Sequence, residues 1–152
     1  MELWERFSSR AKQSILMAHD EALRDGAIAI STEHLLLGLA RLRDGVAARI
    51  LLGLNLDLDI DQLRAELRPE AQADTQEDNT SAEVAFTLAA QRVLRRSYNE
   101  ARQLDDFQIG TEHILIGMLL EGNTPAAELL CGRGADLEAV SAALAEQGPG
   151  IA

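Results

Sequence analysis

Cysteine and aromatic residues are scarce in this chain of 152 residues, and each shortage excludes a class of protein. The one cysteine, Cys131, cannot form an internal disulfide, and no group of cysteines and histidines has the spacing of a zinc site. With one Trp, one Tyr and three Phe, the core must be built mainly from Leu, Ile, Val and Ala. Such a composition suits helix packing better than a β-sandwich, so the sequence predicts an all-α fold.

Basic residues are also few. The chain has 14 Lys and Arg against 25 Asp and Glu, a net charge of −11, and Lys12 is its one lysine. Because nucleic-acid binding needs clustered cations, nucleic acid is not an expected partner. No apolar run reaches the roughly 18 residues of a membrane span, and the N-terminus lacks the pattern of a signal peptide. We therefore expect a cytoplasmic protein without a membrane partner.

An internal repeat is the most informative feature of the sequence. A displacement of 79 residues places Phe7 on Phe86, Glu33-His34 on Glu112-His113 and Gly38 on Gly117. The segment between the two copies is polar and acidic, which is typical of a flexible linker. The sequence thus predicts one domain, residues 1–152, made of repeat one (1–68), a linker (69–82) and repeat two (83–147).

Each repeat contains the pattern of four helices. Ser8 and Thr87 are suited to cap the first helix of each repeat, with the preceding phenylalanine packing back onto it. The second helices are predicted to begin at Thr32 and Thr111 with hydroxyl caps, and they are apolar all round, as buried helices are. Their glycines indicate a close approach between helices. Third helices near 45–53 and 124–132 and fourth helices near 57–68 and 136–147 complete a pseudo-twofold bundle of eight helices.

The pairs Glu33-His34 and Glu112-His113 are candidates for acid–base or metal chemistry. Neither pair has a second histidine at i+4, and adjacent helical residues point about 100° apart. A buried, hydrogen-bonded histidine and a glutamate placed favourably at a helix N-terminus explain the pattern more simply. No phosphate-binding loop is present, and no metal or cofactor is expected. Cys131 aligns with Leu52, so we expect it to be a small core residue.

These motifs together resemble the N-terminal double-repeat (Clp R) domain of the Clp ATPases, especially the ClpC type. The resemblance covers nearly the whole chain, and no ATPase module accompanies it. It is carried by blocks of residues that include the paired Thr-Glu-His motifs, at positions 5–11, 21–22, 30–39, 45–48 and 109–115.

The resemblance implies a non-catalytic module that docks tagged protein substrates or Clp adaptor proteins for unfolding and degradation. In ClpC-type domains, two symmetry-related sites can receive phosphorylated arginine. A carboxylate beside helix N-terminal amides and hydroxyls suits that ligand, because it joins a guanidinium to a phosphate. By repeat, the implied site residues are Ser8, Thr32 and Glu33 in the first site, and Thr87, Thr111 and Glu112 in the second. Residues 88–91 lack the basic residues typical of the family, so the second site lacks a cation.

An alternative function remains open at this point. A free-standing homologue of the domain could sequester cyclic peptide antibiotics that target Clp proteins, or compete for adaptors. Related mycobacterial domains bind such peptides near their first helices, and the residues implied here are Trp4, Phe7, Phe86 and Gln91. The chain is either the N-domain of a longer protein or free-standing. On both readings it is not an enzyme, and in isolation we expect a monomer.

Overall fold

The computed structural model describes residues 3–56, 58–67 and 85–147. These ranges form nine α-helices joined by short loops. In chain order they are α1 (Leu3–Arg6), α2 (Ser9–Arg24), α3 (Thr32–Arg41), α4 (Val46–Gly53), α5 (Ile60–Leu67), α6 (Leu88–Gln103), α7 (Thr111–Glu121), α8 (Pro125–Gly132) and α9 (Leu137–Gln147). The all-α prediction is confirmed. The predicted linker, residues 69–82, lies outside the described residues.

The second half of the chain repeats the helices of the first half. Adding 79 to the bounds of α2 and α4 gives the bounds of α6 and α8. Helices α3 and α5 correspond in the same way to α7 and α9, which are longer at their ends. The eight predicted helices are therefore present as two sets of four. The short α1, which has four residues and precedes the first cap, is an element that the sequence pattern did not predict.

Helices α3 and α7 form the centre of the core. Every residue of α3 from Thr32 to Ala40 is buried, and so are most residues of α7. Each central helix packs against the long helix of its own repeat at a glycine. A Cβ atom at Gly38 would overlap the Ser14 carbonyl oxygen, and one at Gly117 would lie 2.7 Å from the Val93 carbonyl oxygen. The predicted close approach is confirmed in both repeats.

A buried ion cluster joins three helices of the first repeat. Glu21 of α2 is 2% exposed and accepts hydrogen bonds from Arg64 of α5 at 2.8 and 2.9 Å and from Arg41 of α3 at 3.0 Å. The hydrogen bonds from Arg64, aided by the charges of both arginines, lower the pKa of Glu21 although burial opposes this. The cluster fixes α5 and α3 against α2.

Short extended segments of the two repeats pair with each other. The bridges pair Phe7 with Ile109 and Ile30 with Phe86, so the segment before the long helix of each repeat runs beside the segment before the central helix of the other. Phe7 is 3% exposed, and Ile30 and Ile109 are each 1% exposed. The residues before the caps thus pack between repeats, which adds a contact that the predicted packing within one repeat did not include.

Cys131 does not lie in the core, where the sequence analysis predicted it. It is exposed at the end of α8, and Leu52 itself is 42% exposed. The buried face of α8 runs through Ala126 and Leu130, and Cys131 is about 100° further round the helix. The prediction of a core cysteine is therefore wrong.

Among the described residues, no single helix is long and apolar enough to cross a membrane. Helices α7 and α8 reach that length and composition only as a pair, with a bend of 98° between them.

Candidate functional site

A buried histidine begins the central helix of each repeat. His34 Nδ1 accepts a hydrogen bond from the Ser31 backbone N–H at 3.0 Å. Nε2 therefore carries the hydrogen and donates to Asp25 Oδ2 at 2.8 Å. The second repeat has the same two bonds, each of 2.8 Å, formed by His113, Gly110 and Asp106. The prediction of buried, hydrogen-bonded histidines is confirmed, and in this arrangement neither ring has a nitrogen left for acid–base work.

Ser8 and Thr87 cap the two long helices, as the sequence predicts. The Ser8 hydroxyl accepts from the Ala11 backbone N–H at 3.1 Å, and the Thr87 hydroxyl accepts from the Ala90 backbone N–H at 3.2 Å. Each hydroxyl keeps its own hydrogen for a further acceptor. A ligand with an acceptor oxygen could therefore bind where α2 and α6 begin, beside their unpaired amides.

The bridges place each of these hydroxyls beside the other repeat. The Ser8 N–H donates to the Ile109 carbonyl oxygen at 2.9 Å, three residues before Glu112. The Thr87 N–H donates to the Ile30 carbonyl oxygen at 3.0 Å, three residues before Glu33. The structure thus brings Ser8 to the segment that leads into Thr111 and Glu112, and Thr87 to the segment that leads into Thr32 and Glu33.

Ser8 and Glu33, which the sequence analysis groups by repeat, are not neighbours. The 16 residues of α2 extend about 24 Å, and Ser8 lies at the N-terminal end of this helix. His34 reaches Asp25 at the other end of α2, and Gly38 packs on its middle, so α3 runs antiparallel to α2. Glu33 therefore lies near the end of α2 opposite to Ser8. We call Thr32, Glu33 and Thr87 the Glu33 site, and Ser8, Thr111 and Glu112 the Glu112 site.

The two threonines of these sites have different partners. The Thr111 hydroxyl accepts a hydrogen bond from the Ala47 backbone N–H at 3.0 Å and so caps α4 of the other repeat. Helix α4 needs this bond because its own cap residue is Gly45, whereas Thr124 caps α8 from within the same repeat. Thr32 is 2% exposed, and its hydroxyl has no hydrogen-bond partner among the described residues.

The residue before α7 is Gly110, so the hydroxyl cap predicted for that helix is wrong. Ser31 does cap α3. This difference also separates the two glutamates. A Cβ at Gly110 would overlap the Glu112 carboxylate, which therefore lies over that glycine, beside the residue bonded to Ser8. Ser31 has a Cβ at the equivalent position, so Glu33 lies elsewhere. Glu33 is 6% exposed, while Glu112 is half-buried.

The aromatic residues proposed for peptide contact lie at different depths. Trp4 is 43% exposed, with the Lys12 ammonium 5.7 Å from the centre of its ring. The Phe7 ring is 6.2 Å from that of Trp4 but is buried. Phe86 is half-buried, and the exposed Gln91 donates from its side chain to the Phe86 carbonyl oxygen at 3.0 Å. Trp4 is thus the aromatic side chain of this set with most surface available to a partner.

Comparison with known proteins gives the family. The Clp repeat (R) N-terminal domain model matches residues 6–132. The chloroplastic chaperone protein ClpC2 of Oryza sativa subsp. japonica is 38% identical over 136 residues, which are 88% of this chain and 14% of that protein. The chain therefore spans about one seventh of the length of this relative.

Solved structures have the same fold. The N-terminal domain of the chaperone ClpD from Arabidopsis thaliana matches with a TM-score of 0.74 and 24% identity, over 96% of each chain. A ClpV N-domain, determined in complex with a VipB peptide, matches with a TM-score of 0.65 and 15% identity, over 88% of this chain and 82% of that one. By its sequence match over most of its length, this chain belongs to the Clp repeat (R) N-terminal domain family.

Proposed function

We propose that this domain is a non-catalytic binding module that docks substrate or adaptor proteins for a Clp unfolding and degradation machine. Family membership supports this, because the matched relatives are Clp chaperones and protease subunits. The ClpV N-domain complex with a VipB peptide shows that one domain of this fold binds a protein segment. Both catalytic candidates, His34 and His113, have their ring nitrogens in hydrogen bonds, which supports binding over catalysis.

The ligand we propose is phosphorylated arginine on a substrate protein. The observation that carries this proposal is the crossed arrangement, in which the hydroxyl-capped N-terminus of each long helix pairs with the segment that leads into a glutamate of the other repeat. The helix amides and hydroxyl suit the phosphate, and the carboxylate suits the guanidinium. At the Glu112 site, Lys12 in the first turn of α2 adds positive charge, while Arg10 of the same turn is paired with Asp44 at 3.2 Å. That charge favours a doubly charged phosphate.

Calorimetric titration with free phosphoarginine tests this proposal. We expect saturable binding that arginine mixed with inorganic phosphate does not reproduce, and that the Glu33→Ala/Glu112→Ala double variant loses. Glu138→Ala is the matched control, since Glu138 is an exposed glutamate in the first turn of α9, a helix that contributes no residue to either site. Absence of binding by the folded domain, or binding that survives in the double variant, would refute phosphoarginine as the ligand.

The exposed Trp4 supports a second candidate function, the capture of cyclic peptide antibiotics directed at Clp proteins. Trp4 is the one tryptophan of the chain, so its fluorescence reports on this surface alone. Titration with such a peptide is expected to shift the emission maximum saturably, with binding lost in Trp4→Ala and weakened in Gln91→Ala. An unchanged spectrum at peptide concentrations well above the protein concentration would reject this candidate.

A further inference from the structure

Two arginines of this domain contact the same tyrosine ring and have no anionic partner among the described residues. The guanidinium carbons of Arg6 and Arg102 each lie 5.6 Å from the centre of the Tyr98 ring. Glu5 and Asp105 stand close to these arginines in the chain, but neither forms an ion pair with them. Both arginines are exposed, and Tyr98 is half-buried. We call Arg6, Tyr98 and Arg102 the Tyr98 cluster.

The Tyr98 cluster joins two parts of the fold and concentrates positive charge between them. Arg6 ends α1, whereas Tyr98 and Arg102 lie one turn apart on α6. Since both guanidinium carbons lie 5.6 Å from one ring centre, they are at most about 11 Å apart, where like charges repel. Contact with the ring offsets part of this repulsion and leaves the N–H donors of each guanidinium available. No acceptor within the described ranges uses those donors.

Helix α6 is basic although the chain as a whole is acidic. It carries four arginines and one glutamate, whereas the net charge of the chain is −11. Arg92 and Arg96, on one side of the helix, donate to Glu121 at 2.8 and 2.9 Å. Arg95 and Arg102 are seven residues apart on another side, and in the described part of the chain neither has an ion pair. The one glutamate of α6 stands two residues before Arg102, so it points to the opposite side of the helix.

The equivalent face of α2 does not have this charge. The displacement of 79 residues places Leu16, His19 and Leu23 on Arg95, Tyr98 and Arg102. The two leucines are themselves 57% and 63% exposed. The shared fold therefore does not require arginines at these positions, since α2 occupies the same place in its own repeat without them.

We infer that the Tyr98 cluster, together with Arg95, binds an acidic segment of a partner protein through its aspartate and glutamate side chains. This goes beyond the proposed function, because it gives the domain a second binding surface that takes no phosphoarginine. Arg95 and Arg102 are about 10 Å apart along α6, so several carboxylates are needed to reach all three arginines. Each pair of guanidinium and carboxylate can form two hydrogen bonds. The acidic remainder of the protein repels such a segment, so charge directs it to this face.

Fluorescence anisotropy of a labelled eight-residue peptide, in which six glutamates are separated by glycines, tests the inference. The folded domain is expected to bind this peptide saturably, more weakly as salt rises from about 20 to 300 mM. The same peptide with glutamine for glutamate is expected to bind at least tenfold more weakly. The variant Arg6→Gln/Arg102→Gln should also weaken binding at least tenfold. Its matched control, Arg24→Gln/Arg49→Gln, removes two exposed arginines outside the cluster and should leave binding unchanged.

Arg95→Gln is a second variant, and it keeps the test decisive if the double variant fails to fold. Arg95 is exposed and has no side-chain contact among the described residues, so its replacement should leave the fold intact and still weaken peptide binding about threefold. Absence of binding to the folded domain, equal binding of the glutamine peptide, or full binding to both the double variant and Arg95→Gln would each overturn the inference. Tighter binding of an eight-nucleotide oligothymidylate would overturn it in favour of nucleic acid.

Phosphoarginine separates this inference from the proposed function. We expect it to bind without displacing the acidic peptide. Displacement would overturn the inference, because the peptide would then occupy the phosphoarginine site. Phosphoarginine binding without peptide binding would refute this inference and leave the proposed function standing. Peptide binding without phosphoarginine binding would refute the proposed ligand and support the inference.

Discussion

Replacing Thr111 with valine tests the contact by which one repeat caps a helix of the other. Valine keeps the shape of threonine but removes the oxygen that accepts from the Ala47 N–H at 3.0 Å. Ala47 is fully buried, so water cannot replace the lost acceptor. The variant is therefore expected to lose about 1–3 kcal/mol of unfolding free energy, the cost of an unsatisfied buried donor. In a domain of this size that loss lowers Tm by about 2–4 °C per kcal/mol.

Thr32→Val is the matched control for this prediction. The two threonines occupy equivalent positions and are both buried, at 2% and 3% exposed, but the Thr32 hydroxyl has no hydrogen bond within the described part of the chain. Its replacement is expected to leave the free energy of unfolding unchanged or to raise it by up to about 1 kcal/mol. Urea denaturation followed by circular dichroism at 222 nm measures both variants. Equal losses in the two would refute the capping role of Thr111.

A rescue variant separates the capping bond from other effects at this position. Thr111→Ala removes two of the three atoms that lie near the site of a Cβ on Gly45, at 3.2 and 3.4 Å, and leaves the Leu42 carbonyl oxygen at 3.4 Å. In that background Gly45→Ser supplies a hydroxyl to α4, and the backbone at Gly45 (φ −79°, ψ 160°) suits any residue. Serine is expected to restore about 0.5–2 kcal/mol relative to Gly45→Ala in the same background. Alanine controls for the general effect of replacing a glycine. No difference between serine and alanine would show that α4 gains nothing from a hydroxyl there.

Two further predictions concern packing and charge. Gly38→Ala is expected to lower the free energy of unfolding by about 1–3 kcal/mol, because the new Cβ would meet the backbone of α2. Gly53→Ala, whose Cβ would meet nothing within 4 Å, is expected to raise it by up to about 1 kcal/mol. Similar effects of the two variants in thermal denaturation would contradict the close approach at Gly38. Arg64 lowers the pKa of Glu21 in the folded state, so ionised Glu21 stabilises the fold. This stabilisation is complete above the ordinary pKa of about 4.5, and it is lost as the pH falls through the lower pKa that Glu21 has in the folded protein. Urea denaturation between pH 3 and 7 should therefore show a weaker pH dependence for Glu21→Gln, and an unchanged dependence would count against this ion cluster.

The helices and their caps could be predicted because the signals that define them are local. Ser8 and Thr87 precede helices whose first turns need an acceptor, and both hydroxyls occupy that role. The all-apolar second helices and their glycines likewise predict burial and close packing. At Gly38 the helices lie so close that an added Cβ would overlap the backbone of α2, which confirms the prediction. In each case one or two neighbouring residues determine the outcome, so a single sequence is sufficient.

The composition of the sites could not be predicted, because it depends on contacts between the repeats. Four apolar residues, Phe7, Ile30, Phe86 and Ile109, stand just before helix caps, and the sequence does not state which of them pair. Pairing within a repeat and pairing between repeats use the same residue types. The observed pairing between repeats places Ser8 beside the segment that leads into Glu112, whereas the sequence analysis grouped Ser8 with Glu33. No periodicity in the sequence carries that information.

The difference between the two sites follows from one difference between the repeats. Helix α8 begins after Thr124, which supplies its own cap, while the equivalent position before α4 is Gly45. The Thr111 hydroxyl therefore caps α4 by accepting from the Ala47 N–H. Its pseudosymmetric counterpart Thr32 has no helix to cap, because Thr124 already accepts from the Ala127 N–H of α8. A threonine that caps a helix contributes to stability, whereas Thr32 and the adjacent Glu33 have no side-chain hydrogen bond within the described residues. The glycine at position 45 thus determines, from the other repeat, which of the two equivalent threonines caps a helix.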